Sequence, residues 1–152
     1  MLKYVSDSIH NIAAALQIMR SIQTRMKIMI VDDHSGIREM LRSLLASPGI
    51  ELSECADGAE ALSVYDDFRP DWVFMDNVMK EVDGLSATRS ILNAFPEARV
   101  LMVREDDIEQ LRRAARVAGA CAFVTKDYLL KVLTHHQGAP LHELEPLWTG
   151  AM

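Results

Sequence analysis

The stretch that decides the fold lies at residues 28 to 33 and reads Ile-Met-Ile-Val-Asp-Asp. A second stretch at residues 72 to 76, Trp-Val-Phe-Met-Asp, has the same character. A short apolar run that ends in carboxylates is typical of a strand that is buried on both faces and stops at a polar site. In an open parallel sheet, ligands bind outside the carboxyl ends of the strands. The two stretches therefore predict a parallel α/β sheet with Asp32, Asp33 and Asp76 gathered at one edge.

Three carboxylates in one cleft repel one another and need a compensating cation. Oxygen ligands favour a hard divalent ion, most simply Mg²⁺. A third short apolar strand is predicted just before Lys126, whose ammonium group would lie at the same edge of the sheet. There it can pair with a carboxylate or with the oxygens of a phosphoryl group.

Together these residues resemble the receiver domain of two-component response regulators. The resemblance covers residues 26 to 134, and the motifs that carry it are Val31-Asp32-Asp33, Met75-Asp76, Asp83-Gly84 and Lys126. Each motif alone is a weak signal, but their order and spacing together are specific.

The resemblance implies a role for each residue of the site. Asp76 matches the aspartate that accepts a phosphoryl group. Asp33, Asp76 and the backbone carbonyl of Val78 would bind Mg²⁺ directly, and Asp32 would hold the ion through water. Lys126 would contact a phosphoryl oxygen.

The chain departs from the family pattern after the fourth predicted strand. Arg104 stands where the family has a serine or threonine, and Glu105 stands where a small residue is usual. The Arg104 guanidinium can pair with Asp76 and take the place of the phosphoryl group. Alternatively it points to solvent or pairs with Glu105 or Asp106. Phe123 matches the aromatic residue that reports activation in the family, and a buried strand aromatic explains it equally well.

From residue 26 onward, predicted strands and helices alternate, which indicates a doubly wound α/β domain. The predicted strands are 27–31, 50–55, 71–75, 99–103 and 121–125, and the predicted helices are 35–46, 58–68, 84–94, 107–118 and 127–134. The resemblance implies a flavodoxin-like, three-layer α/β/α fold whose five-stranded parallel sheet has the order 2-1-3-4-5. We expect an N-terminal amphipathic helical extension at 1–25, a receiver domain at 26–136 and a C-terminal tail at 137–152.

The extension carries an apolar seam with alternating spacings of three and four residues, formed by Leu2, Val5, Ile9, Ile12, Leu16 and Met19. This is the a/d pattern of an amphipathic helix, and such a stripe must be covered. A homodimer contact through residues 2–19 and packing against the chain's own domain both satisfy this need. The sequence alone leaves open whether residues 1–25 belong to the working protein.

Composition limits the remaining possibilities. The 152 residues are 49% hydrophobic and 25% charged, as in an ordinary globular domain. The net charge of −6 and the absence of a basic run argue against direct nucleic-acid binding. No apolar run approaches a membrane span, and no signal peptide is evident. Cys55 and Cys121 fall on opposite edge strands of the implied sheet, roughly 19 Å apart, so we expect buried, reduced thiols and a cytoplasmic protein.

The sequence hypothesis is a receiver domain in two-component phosphorelay signalling. It would accept a phosphoryl group on Asp76, with Mg²⁺, from a histidine kinase or a histidine phosphotransfer protein. It would not be an enzyme beyond weak self-phosphorylation and dephosphorylation. Because no output domain is recognisable, we expect it to signal by contact with a downstream protein. The alternative is a pseudo-receiver, a protein-binding module whose site is closed by Arg104 and Glu105.

Overall fold

The computed structural model describes residues 11–16, 25–46 and 48–135. The strands are Met26–Val31 (β1), Ile50–Cys55 (β2), Trp72–Asp76 (β3), Val100–Arg104 (β4) and Ala122–Thr125 (β5). The helices are Ser35–Leu45 (α1), Gly58–Phe68 (α2), Gly84–Ala94 (α3), Glu109–Ala118 (α4) and Lys126–His135 (α5), and a helical segment at 11–16 precedes β1. In this part of the chain, no helix is long and apolar enough to cross a membrane.

The strands form one parallel sheet in the order β2-β1-β3-β4-β5, which confirms the predicted topology. The order changes direction between β1 and β3, and this switch point opens a crevice at the carboxyl ends of the two strands. The register pairs Val31 with Met75, so Asp32 and Asp76 follow at the same level. Strands β3 and β4 each end one residue later than predicted, so Asp76 and Arg104 are the last residues of their strands.

Two apolar clusters, one on each face of the sheet, make the three layers. Leu41 of α1 and Leu129 of α5 belong to the first cluster, and Tyr65 of α2 and Ile91 of α3 belong to the second. Strand β3 supplies both clusters because successive side chains of a strand point to opposite faces. Both faces of the sheet are therefore covered, as the continuous apolar strands predict.

The helical segment at 11–16 packs on the first of these clusters. Ile12 and Leu16 are 3% and 4% exposed and share the cluster with Leu45 and Leu133. The chain's own domain thus covers this part of the apolar seam, which supports intramolecular packing over the homodimer contact there. The seam residues Leu2, Val5, Ile9 and Met19 and the tail at 137–152 lie outside the described residues.

Cys55 and Cys121 form no disulfide, and they lie at opposite edges of the sheet as expected. Cys55 is buried at the end of β2. Cys121 immediately precedes β5 and is only partly buried, so the expectation that both thiols are buried is wrong for Cys121. Burial raises the pKa of each thiol to about 11. Both therefore stay as neutral, poorly reactive thiols at neutral pH.

Candidate functional site: the acidic cluster at the switch point

Asp32, Asp33 and Asp76, predicted from the sequence, meet at the switch point and form what we call the acidic cluster. Asp32 and Asp33 follow β1, and Asp76 ends β3. One carboxylate oxygen from each residue lies within 4.8 Å of the others. Asp32 and Asp76 are only 3% and 5% exposed. Carboxylate oxygens at this spacing can share one hard divalent cation, so these residues fit the predicted Mg²⁺ ion.

Lys126 supplies a positive charge to this cluster. It is the first residue of α5, and its Nζ lies 3.1 Å from Asp32 Oδ2 and 3.6 Å from Asp76 Oδ1. Burial lowers the pKa of Lys126, but the charges of Asp76 and Asp32 outweigh burial and raise the pKa above its ordinary value. The ammonium group therefore stays charged at neutral pH. It offsets one of the three negative charges of the cluster, so the cluster still attracts a cation.

The surroundings of Asp76 change the pKa of its carboxyl group. Burial first, and then the negative charge of Asp32, raise the pKa of Asp76 to about 6, although Lys126 acts in the opposite direction. Ionised Asp76 is therefore held in an unfavourable environment at neutral pH. A divalent cation bound by the cluster would relieve this repulsion, which gives the cluster a physical reason to bind one.

The loop after Asp76 is shaped by Asp83 and Gly84. Asp83 caps α3 by accepting a hydrogen bond of 2.9 Å from the Ser86 backbone N–H. Gly84 donates its backbone N–H to the carbonyl oxygen of Asn77 at 2.9 Å. A Cβ atom on Gly84 would lie 2.1 Å from the carbonyl oxygen of Asp76. Only glycine fits there, which explains the Asp-Gly pair noted in the sequence.

Asp57 also holds this loop, and the sequence reasoning missed it. Its carboxylate caps α2 through the Ala59 N–H at 2.9 Å and also accepts the N–H groups of Glu81 and Val82 at 3.0 Å each. These backbone hydrogen bonds, that from Glu81 foremost, lower the pKa of Asp57. The Asp57-Gly58 pair before a helix signals a cap in the sequence. The contact with a loop 24 residues away is visible only in the structure.

Of the two atypical residues, Glu105 contacts Lys126, and Arg104 makes no ion pair in the described part of the chain. Arg104 forms no ion pair with Asp76, Glu105 or Asp106 in the described part of the chain, and its Nε is buried without a hydrogen-bond partner. Glu105 is 73% exposed, and its Oε1 lies 3.6 Å from Lys126 Nζ. The pairing of Arg104 with Asp76 that would fill the phosphoryl position is therefore not formed.

The remaining two predicted site residues, Phe123 and Val78, differ in burial. Phe123 is 3% exposed within the second apolar cluster, which places it as a buried strand aromatic. The side chain of Val78 is 60% exposed on the loop after β3. That its backbone carbonyl binds Mg²⁺ stays a prediction.

An acidic trio and a lysine at the switch point of this five-stranded sheet are the architecture of the receiver class of signalling domains. The response regulator receiver domain family matches residues 28–136, and the chain belongs to this family of two-component systems.

Three known proteins illustrate the similarity. The uncharacterized transcriptional regulatory protein YhcZ of Bacillus subtilis is 38% identical over 104 residues, which cover 67% of this chain and 49% of YhcZ. The chain thus spans about half the length of that relative. A LuxR-family response regulator from Aurantimonas is 32% identical, with a TM-score of 0.68 over 84% of this chain and 87% of that one. CheY in a CheX-CheY-BeF₃-Mg²⁺ complex from Borrelia burgdorferi is 27% identical, with a TM-score of 0.66 over 73% of this chain and 88% of that one.

Proposed function

We propose that this chain is a phosphoryl-accepting receiver that takes a phosphoryl group onto Asp76 with the help of Mg²⁺. The observation that carries the proposal is the position of the Asp76 carboxylate, which lies within 4.8 Å of two further carboxylates and 3.6 Å from Lys126 Nζ. A nucleophilic carboxylate, a cation site and an aligned ammonium group are what phosphoryl transfer to aspartate requires.

The proposed donor is the phosphohistidine of a histidine kinase or of a histidine phosphotransfer protein. An oxygen of Asp76 attacks phosphorus, and the phosphorus–nitrogen bond breaks with its electron pair left on the imidazole. The ring leaves as neutral imidazole because it carries a proton on its other nitrogen. Mg²⁺, when bound, neutralises charge on the phosphoryl oxygens. Lys126 contacts one of these oxygens with its ammonium group.

We further propose a cytoplasmic location and an output through contact with a downstream protein. The proposed contact face is formed by α4, β5 and α5. Its last helix, α5, begins at Lys126, so this face is joined directly to the acidic cluster. The Borrelia CheY, which the chain resembles in fold, is found in complex with CheX.

A pseudo-receiver is the second candidate, favoured by one observation. The exposed carboxylate of Glu105 contacts Lys126 at 3.6 Å and adds a fourth negative charge at the mouth of the acidic cluster. In such a protein the fold and the acidic cluster serve only to bind a partner. The absence of an ion pair between Arg104 and Asp76 in the described residues speaks against a site closed by the arginine.

Intact-mass measurement after incubation with acetyl phosphate and Mg²⁺ tests the two candidates. The proposal expects a mass gain of one phosphoryl group in the wild type and none in Asp76→Asn. No gain in a protein that demonstrably binds Mg²⁺ would favour the pseudo-receiver. A gain that appears only in Arg104→Thr would show that the arginine blocks the site.

A further inference from the structure

The register of the last two strands brings Glu105 to Lys126. Arg104 pairs with Thr125, so the next residue of each strand, Glu105 and Lys126, leaves the sheet at the same level. Glu105 Oε1 lies 3.6 Å from Lys126 Nζ as a consequence. The contact follows from backbone pairing. The Tyr128 N–H donates to Thr125 Oγ1 at 3.2 Å, which anchors the start of α5.

Lys126 divides one positive charge among three carboxylates. Its Nζ lies 3.1 Å from Asp32, 3.6 Å from Asp76 and 3.6 Å from Glu105. Asp32 and Asp76 are buried, whereas the side chain of Glu105 is 73% exposed. Water screens the exposed pair, so the contact with Glu105 is weak and reversible. Glu105 nevertheless competes with Asp76, the proposed acceptor, for the ammonium group of Lys126.

We propose that Glu105 is a positioning residue that restrains Lys126 at the mouth of the acidic cluster and slows phosphoryl transfer from small donors to Asp76. This inference rests on the proposed function. In transfer from acetyl phosphate, the new bond joins phosphorus to an oxygen of Asp76, and the bond from phosphorus to the acetyl oxygen breaks. Acetate leaves with the electron pair. Lys126 assists when its ammonium group reaches the phosphoryl oxygens, and the contact with Glu105 reduces the fraction of time that it does so.

Two substitutions separate the contact from the charge. Glu105→Gln keeps the length of the side chain and removes its charge. Glu105→Asp keeps the charge but shortens the side chain by one methylene group, so the carboxylate no longer reaches Lys126. The inference expects both variants to be phosphorylated faster than the wild type. The rate should rise by about twofold to fivefold, the range that an exposed ion pair commonly supplies.

The assay follows the fraction of phosphorylated protein by intact mass against time, at a fixed concentration of acetyl phosphate and saturating Mg²⁺. In 1 M salt, the ratio of the Glu105→Gln rate to the wild-type rate should fall toward one, because screening already weakens the contact in the wild type. Glu97→Gln is the matched control. Glu97 is exposed before β4, at the opposite end of the sheet, and the variant loses the same charge without touching Lys126.

The possible outcomes are distinct. A wild-type rate in Glu105→Asp with a fast Glu105→Gln would overturn the inference, because overall charge and not the contact would then set the rate. Unchanged rates in both variants, with a phosphorylated wild type, would also overturn it and leave the proposed function standing. No phosphorylation of any protein would refute both. If the two Glu105 variants were phosphorylated and the wild type were not, Glu105 would block transfer from acetyl phosphate completely.

Discussion

Replacement of Asp76 by asparagine should stabilise the Mg²⁺-free domain at neutral pH, although it destroys the proposed acceptor. Asp76 is 5% exposed and lies against Asp32 and Asp33. Burial, followed by the charge of Asp32, raises its pKa from an ordinary value of 3.8 to about 6. A group whose pKa is higher in the folded state contributes stability below its unfolded pKa and loses that contribution as the pH rises through the folded pKa. Ionised Asp76 therefore weakens the fold above about pH 6.

The magnitude follows from the same pKa. Two pKa units correspond to about 3 kcal/mol, which is an upper bound. The site opens to solvent at the sheet edge, and asparagine also loses the attraction to Lys126 at 3.6 Å, so we reduce this to a net gain of about 1 kcal/mol. For a chain of this size, about 1 kcal/mol corresponds to a rise in Tm of roughly 3 °C. The gain should develop between about pH 4 and pH 6, because in this range the unfolded chain has already released the Asp76 proton while the folded protein still holds it.

The assay is thermal or urea unfolding of wild type and Asp76→Asn in EDTA across this pH range. Asp127→Asn is the control, since Asp127 is an exposed residue on α5 and its replacement removes the same charge outside the acidic cluster. Added Mg²⁺ should then reverse the order of stability, because a ligand stabilises the folded state that binds it and the variant lacks one carboxylate ligand. A variant that is no more stable than the wild type at pH 7.5 in EDTA, or a gain independent of pH, would refute the reasoning.

Two further predictions concern packing. Ile12→Ala should lower the free energy of unfolding by about 2–4 kcal/mol in urea denaturation, because Ile12 is 3% exposed in the core. Asn11 is an exposed neighbour, and the control Asn11→Ala should change the free energy of unfolding little. An unchanged urea midpoint for Ile12→Ala would mean that segment 11–16 does not pack on the domain in solution. Gly84→Ala should cost at least about 2 kcal/mol and weaken stabilisation by Mg²⁺, since its Cβ would lie 2.1 Å from the Asp76 carbonyl oxygen. In the control Gly36→Ala, the added Cβ would meet only the His34 side chain, at 3.2 Å. Equal losses of stability in the two variants would therefore contradict this explanation.

Much of the fold could be predicted because its signals are local. Apolar runs that end in carboxylates mark buried strands, and turns with glycine or proline separate them from the helices. The strand bounds were correct to within one residue, and strand order came from the resemblance of Asp32, Asp33, Asp76 and Lys126 to a known family. The acidic cluster followed as well, since parallel strands place their carboxyl ends at one edge.

The sequence by itself determined the order of strands and helices, the three clustered aspartates and the lysine that accompanies them. Only the tertiary structure decided which groups these residues contact. Lys126 meets Glu105, Arg104 makes no ion pair with Asp76 in the described residues, and Asp57 holds a loop far along the chain. The physical reason is that such contacts depend on strand register and on the direction of each side chain across separate elements. The pattern of residues along one strand or helix does not indicate the strand register or the direction of a side chain across elements.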